Sequence, residues 1–218
     1  MKKYIKSAIS NISDEDMYSR MEIAENPDTP EHILYSLCDD EEPDVRICLA
    51  KNPKAPHSIL QDLAYDLDDD VRDGVANNPS TTTDILEILS YDDSAFVRMS
   101  VAMNLNTSMR SLEKLASDRS SDVRYSMTQV DHMPSEILDM LSHDRSDCIR
   151  RAVAQNPNTS ATTLAFLSND PESATRFQVI HNPNTPLSVL YDIAENDVSY
   201  LNTVKESAMD EIQKRTAK

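Results

Sequence analysis

The sequence predicts an all-α chain: an α-solenoid of about seven 26-residue, two-helix repeats with a cap at each end. Three observations carry this. Arginines stand at 20, 46, 72, 98, 124, 150 and 176 with no insertion between them, and self-similarity at a fixed period of this size marks a stacked array. Leucine or isoleucine pairs such as Leu34 and Leu37, Leu60 and Leu63, or Leu86 and Leu89 keep step with the arginines. The 218 residues include one glycine, Gly74, which suits short helices joined by tight turns and argues against a sheet-rich fold.

In chain order, residues 1–16 are expected to form an N-terminal cap or arm. Tyr4, Ile5, Ala8, Ile9 and Ile12 fall at helical spacing while Lys2, Lys3 and Lys6 lie mostly elsewhere, so a short amphipathic cap and a mobile basic arm both fit. Ser13 reads as an N-cap, with Asp14, Glu15 and Asp16 in a first turn where the helix dipole favours negative charge. That helix is expected to run to about Glu25.

Residues 17–198 are the repeat domain. Thr29-Pro30, Thr81-Thr82, Thr107-Ser108, Thr159-Ser160 and Thr185-Pro186 read as hydroxyl N-caps, with proline at the first helical position in several copies. Asp84 and Glu136 stand where they could close capping boxes. The leucine-bearing helix follows, then an aspartate-rich turn, then the second helix. The phrase Arg46-Ile-Cys-Leu-Ala-Lys-Asn-Pro53 returns as Arg72–Pro79 and Arg150–Pro157. Val45, Leu49 and Ala50 give its apolar face. It ends at the asparagine, because a residue before proline is driven out of the α region. Neither helix is long enough to stand alone, so stability is a sum of repeat and interface contributions. Residues 199–218 are expected to form a capping helix with Val204, Ala208, Met209 and Ile212 on one face and Lys214 and Arg215 near its end.

The pattern Asp40…Val45-Arg46…Leu49-Ala50…Asn52-Pro53, with Asn182-Pro183-Asn184-Thr185-Pro186…Leu190, resembles HEAT-like α-solenoids and most closely the leucine-rich repeat variant. The resemblance covers about residues 17–201. It implies a right-handed superhelix that serves as a binding platform. The unit here is longer than the shortest variant repeats, which favours two α-helices per repeat. The N-terminal cysteine cluster that holds an iron–sulfur centre in the founding type is missing. Cys38, Cys48 and Cys148 are odd in number and lack metal-ligand spacing, which fits a reducing compartment and a cytoplasmic location.

Net charge is −17, and it is uneven: residues 1–94 hold 22 Asp or Glu against 8 Lys or Arg, and residues 95–218 hold 16 against 13. The excess gathers in three turns and their flanks. Asp39, Asp40, Glu41, Glu42 and Asp44 form the first group, Asp66, Asp68, Asp69, Asp70 and Asp73 the second, and Asp92 and Asp93 the third. With a constant repeat these turns stack into one strip. A solvated, solubilising face is one reading; a docking edge for a protein with a basic surface is the other. A narrower form of the second makes the strip a nucleic-acid mimic that occupies the basic groove of a nucleic-acid-binding protein, as some phage-encoded inhibitors do.

No enzyme is expected. There is no Walker loop, G-x-S-x-G or H-E-x-x-H motif, and His32, His57, His132, His143 and His181 are scattered. No cofactor or metal is expected either: an EF-hand reading of Asp66–Asp70 needs glycine where the core residue Val71 stands. Glycosylases on HEAT-like scaffolds present a basic, aromatic surface to DNA; this chain is acidic and lacks tryptophan, so direct nucleic-acid binding is disfavoured. No run approaches the ~18 apolar residues of a membrane span. The arginine ladder and the aspartates six residues before each member read as structural ion pairs, and the recurring asparagines as turn-bonding side chains. Met99, Met103, Met109, Met127, Met133 and Met140 crowd the irregular middle, where drifting core residues and a binding patch are the alternatives.

Overall fold

The structure, a computed structural model, describes residues 15–196 and 203–217, and every regular element among them is helical. Two sets of helices alternate. The arginine helices are α1 (Met17–Glu25), α3 (Pro43–Lys51), α5 (Asp69–Asn77), α7 (Ala95–Met103), α9 (Ser121–Thr128), α11 (Asp147–Gln155) and α13 (Ser173–His181). The leucine helices are α2 (Glu31–Leu34, continued by a 3₁₀ turn at Tyr35–Leu37), α4 (His57–Leu63), α6 (Thr83–Leu89), α8 (Met109–Ala116), α10 (Ser135–Leu141), α12 (Ala161–Leu167) and α14 (Leu187–Asn196). Helix α15 (Thr203–Thr216) follows. The expected N-terminal cap, residues 1–16, lies outside the described residues apart from Glu15 and Asp16. Ser13 is outside them too, and Asp16 caps α1, its carboxylate accepting from the Ser19 N–H.

The chain divides into two compact units, one ending at Leu115 and the other beginning at Ala116. In the first, α1 packs on α3, α3 on α5 and α5 on α7; in the second, α9 packs on α11, α11 on α13 and α13 on α15. Each is a stack of repeats, so the fold is an α-solenoid. Val45, Leu49, Leu60, Leu63, Val71, Ile85, Leu86, Leu138 and Leu164 are among the side chains with at most 1% exposure. Burying each contributes about 1.5–3 kcal/mol before chain entropy is subtracted. Gly74 marks the tightest approach: a Cβ there would lie 3.0 Å from the Ala50 Cβ, so α5 rests almost backbone-to-side-chain on α3.

Three ladders of polar side chains run through the repeats, and two of them, asparagine and arginine, tie one repeat to the next. Asn78 donates from Nδ2 to the carbonyls of Ala50 and Asn52, one repeat back, while its Oδ1 accepts from the Ser80 N–H. Asn52, Asn104, Asn156 and Asn182 do the same. The threonines behave differently from expectation. Thr81, Thr107, Thr159 and Thr185 donate backwards, to the carbonyls of Val75, Val101, Val153 and Val179. They therefore close the C-terminal end of the preceding arginine helix, whose last carbonyls have no intrahelical partner. Hydroxyl N-capping survives at Ser108 and Ser160.

In α15, Val204 and Ala208 are buried, but Met209 is 54% exposed and leaves the expected apolar face. Arg215 does more than complement the dipole. It donates to the carbonyls of Thr185 and Asn182 and pairs with Glu211 at 2.8 Å. The last asparagine turn is thus closed by a guanidinium in place of another asparagine.

Candidate functional site

The aspartate turns are built on the third ladder. Arg46 places Nε and Nη2 on the two carboxylate oxygens of Asp66, 2.6 and 3.0 Å away, and gives Nη1 to the main-chain carbonyl of Asp40. Arg72 repeats this with Asp92 and the Asp66 carbonyl. Arg20 reaches Asp40 in the same way. The chain of bonds from Arg20 through Asp40, Arg46, Asp66 and Arg72 to Asp92 fixes the three turns side by side in the first unit. In the second unit, Arg124 holds Asp144 and Arg150 holds Asp170. Paired bidentate contacts of this kind are the strong form of the arginine–carboxylate bond.

Each ladder aspartate also closes its own turn. Asp66 Oδ1 accepts from the Asp68 N–H, and Asp40 and Asp92 accept from Glu42 and Ser94. Burial alone would raise the Asp66 carboxyl. The Arg46 hydrogen bonds, the Asp68 N–H and the Arg46 and Arg72 charges outweigh it and hold the group below the usual carboxylate range. Asp40, Asp92 and Asp144 are held low by the same balance.

This divides the twelve acidic residues of the sequence reading. Asp40, Asp66 and Asp92 are committed to arginines, with side chains only 7–9% exposed. Asp68 is the N-cap of α5, accepting from the Asp70 N–H. Asp73 sits in mid-helix, where it accepts from Ser100 and Asn77. Glu42 is half-buried. Asp39, Glu41, Asp44, Asp69, Asp70 and Asp93 remain exposed.

Between the first two turns lies a notch of about 350 Å³, lined by Cys38, Asp39, Asp62, Tyr65 and Leu67 above the Arg46–Asp66 pair. Charge counting on the sequence passed over its apolar members. Leu67 is 99% exposed and Tyr65 66%, and Tyr91 occupies the place of Tyr65 one repeat later with 64% exposure. A large apolar residue inside a run of aspartates was the available signal. Burial, followed by the charges of Asp39, Asp62 and Asp66, pushes the Cys38 thiol up to about 11. The notch gathers the carboxylates of Asp39, Asp40, Asp62 and Asp66 around the one guanidinium of Arg46. At Tyr91 the molecule supplies its own cation: the Lys114 ammonium stands 4.2 Å above the ring centroid and donates to the Ser90 carbonyl.

The matching notch of the second unit, about 410 Å³, is lined by Ser142, His143, Phe166, Asn169 and Pro171 over Arg150 and Asp170. The His143 and Phe166 rings stack with centroids 4.3 Å apart. Among the described residues no group of His, Cys, Asp and Glu is placed to hold a metal ion, and no helix is long and apolar enough to cross a membrane.

No protein-family model and no curated protein matches the chain. Among solved structures it is similar to one described as a leucine-rich repeat variant with a novel repetitive protein structural motif. The match has a TM-score of 0.69 and 22% identity, and covers 96% of this chain and 82% of that one. The stacked short helices and the extent of the match agree: this chain has the α-solenoid fold of a leucine-rich repeat variant.

Proposed function

We propose that the chain is a non-enzymatic interaction scaffold whose first unit presents the aspartate-turn edge to a protein partner with a basic surface. The repeat fold suits an interaction role. The observation that carries the finer reading is the contact of Lys114 with Tyr91: an ammonium group settles over an aromatic ring of the edge, beside its carboxylates. A partner lysine or arginine entering the notch between the first two turns meets the same chemistry. Its aliphatic stem lies on Tyr65 and Leu67, and its charge approaches Asp39 and Asp62. Asp39, Glu41, Asp69 and Asp70 are exposed and accept no ladder hydrogen bond from Arg20, Arg46 or Arg72, which leaves them to act in approach and orientation.

Affinity capture from lysate at low and high salt tests this, with the wild-type chain beside a variant carrying Asp39→Asn, Glu41→Gln, Asp69→Asn and Asp70→Asn. The expected catch is basic, elutes as salt rises and is lost on the variant. A catch indifferent to both salt and variant overturns the reading. If the basic proteins recovered all bind nucleic acid and release it on adding the chain, the edge acts as a nucleic-acid mimic.

A further inference from the structure

We propose that the arginine-helix face of the second unit is a separate groove for an extended acidic peptide. Residues 125, 151 and 177 hold one position in three successive helices, α9, α11 and α13, and there the chain places Tyr125, Arg151 and Phe177. In the first unit the same position reads Met21, Ile47, Asp73 and Met99. Together with Cys148, Gln155 and Gln178 the three line an open groove of about 590 Å³.

Arg151 is the decisive residue. Its neighbour Arg150 is spent on Asp170 and the Asp144 carbonyl. Arg151 meets no carboxylate among the described residues and donates only to the Cys148 sulfur, 3.8 Å away. A half-buried arginine whose fork meets no oxygen, in a groove also lined by two aromatic side chains, is a carboxylate receptor. Phe177 is 37% exposed, and its ring lies against His181, whose Nδ1 meets the Phe177 carbonyl at 2.8 Å. Tyr125 is 44% exposed. The rings supply apolar contact on either side of the charge, and the amides of Gln155 and Gln178 can each donate to and accept from a peptide backbone.

Size and charge choose the occupant. Helices packed about 10 Å apart put residues 125 and 177 roughly 20 Å from each other, the span of about six extended residues. A peptide with one or two carboxylates among apolar side chains matches one guanidinium flanked by rings. A polyphosphate needs a row of cations, and the groove offers a single guanidinium among its lining residues.

The test is fluorescence anisotropy on the full chain with three labelled probes. One is a peptide of about six residues with two glutamates among phenylalanines; the second has lysine in place of glutamate; the third is oligothymidylate. Saturable binding of the acidic peptide is expected, weakened about tenfold by Arg151→Gln and weakened also by Phe177→Ala. Arg151→Lys, which keeps the charge and loses the fork, falls between. The lysine peptide is expected to ignore Arg151→Gln, which separates this groove from the acidic edge of the first unit. Matched thermal melts show that the variants are folded. Absence of saturable binding by wild type, equal affinity in Arg151→Gln, or an Arg151-dependent preference for oligothymidylate overturns the proposal.

Discussion

The two notches, four repeats apart, have the same frame and opposite linings. Arg46 with Asp66 and Arg150 with Asp170 lie beneath them in the same bidentate geometry, 2.6 Å at the shorter contact in both. Above that frame, Asp39, Asp62, Tyr65 and Leu67 in the first unit become His143, Phe166, Asn169 and Pro171 in the second. A turn held by its arginine does not depend on what its outward side chains are. The frame is one property of the repeat, and the chemistry presented is another.

The frame is the part of each notch most sensitive to substitution. Arg46→Ala and Arg150→Ala are each expected to cost about 3–5 kcal/mol, since each leaves a buried carboxylate without its partner. Chemical denaturation measures both, and a large difference between the two would show that the frames are not equivalent. The pH dependence has the same origin in both units. Asp66 and Asp144 are depressed in the folded state, so their contribution is complete above the unfolded value of about 3.9 and disappears as pH falls through the folded values. Stability is expected to hold down to about pH 4 and to drop steeply below it; a loss already under way between neutrality and pH 5 would contradict the ladder's part in it.

A smaller effect is expected from the asparagines. Asn78→Ala in the first unit and Asn182→Ala in the second each strip two carbonyls of a donor, for about 1–3 kcal/mol. Smaller again is a change that sharpens the contrast. Thr175 occupies the core position of Val71, and its hydroxyl is buried without a hydrogen-bond partner. Thr175→Val is expected to stabilise the chain by about 1 kcal/mol, and Val71→Thr to destabilise it by a comparable amount. Thermal melts on both variants would expose an unequal pair.

The smallest effect concerns the lining. Asp39→Asn with Asp62→Asn is expected to change stability by less than about 0.5 kcal/mol. In a Cys48→Ser, Cys148→Ser background the same pair should speed alkylation of Cys38 about two- to fivefold, because two charges that raise the thiol are gone while burial, the larger cause, stays. An unchanged rate would mean that the notch lacks the field ascribed to it.

The period made the repeats, the core rows and the asparagine ladder readable before any coordinates. It also concealed which aspartate each arginine holds. With 26 residues per repeat, six places back and twenty places forward are the same position in the pattern. The structure uses both: the carbonyl six residues back and the carboxylate twenty ahead. Thr81 and its counterparts misled for a local reason. A threonine just before a helix looks like its N-cap, whereas the acceptor lies six residues upstream, at an end that the turn folds back upon. Tyr65, Leu67, Tyr91 and Arg151 were missed because they vary between copies, and reading by repetition favours what does not vary.

Arg215 has a consequence for how such a chain changes length. A duplicated 26-residue segment brings its own arginine, aspartate and asparagine, so it can be spliced between existing repeats with every joint satisfied. Helix α15 does not notice, since outside its own helix Arg215 donates to the last asparagine turn, at Asn182 and Thr185. Growth beyond that turn is different, because a new asparagine there would compete with the guanidinium for the Asn182 carbonyl. Whole repeats can therefore be inserted or removed before that turn without disturbing α15, with each added turn free to carry a lining of its own.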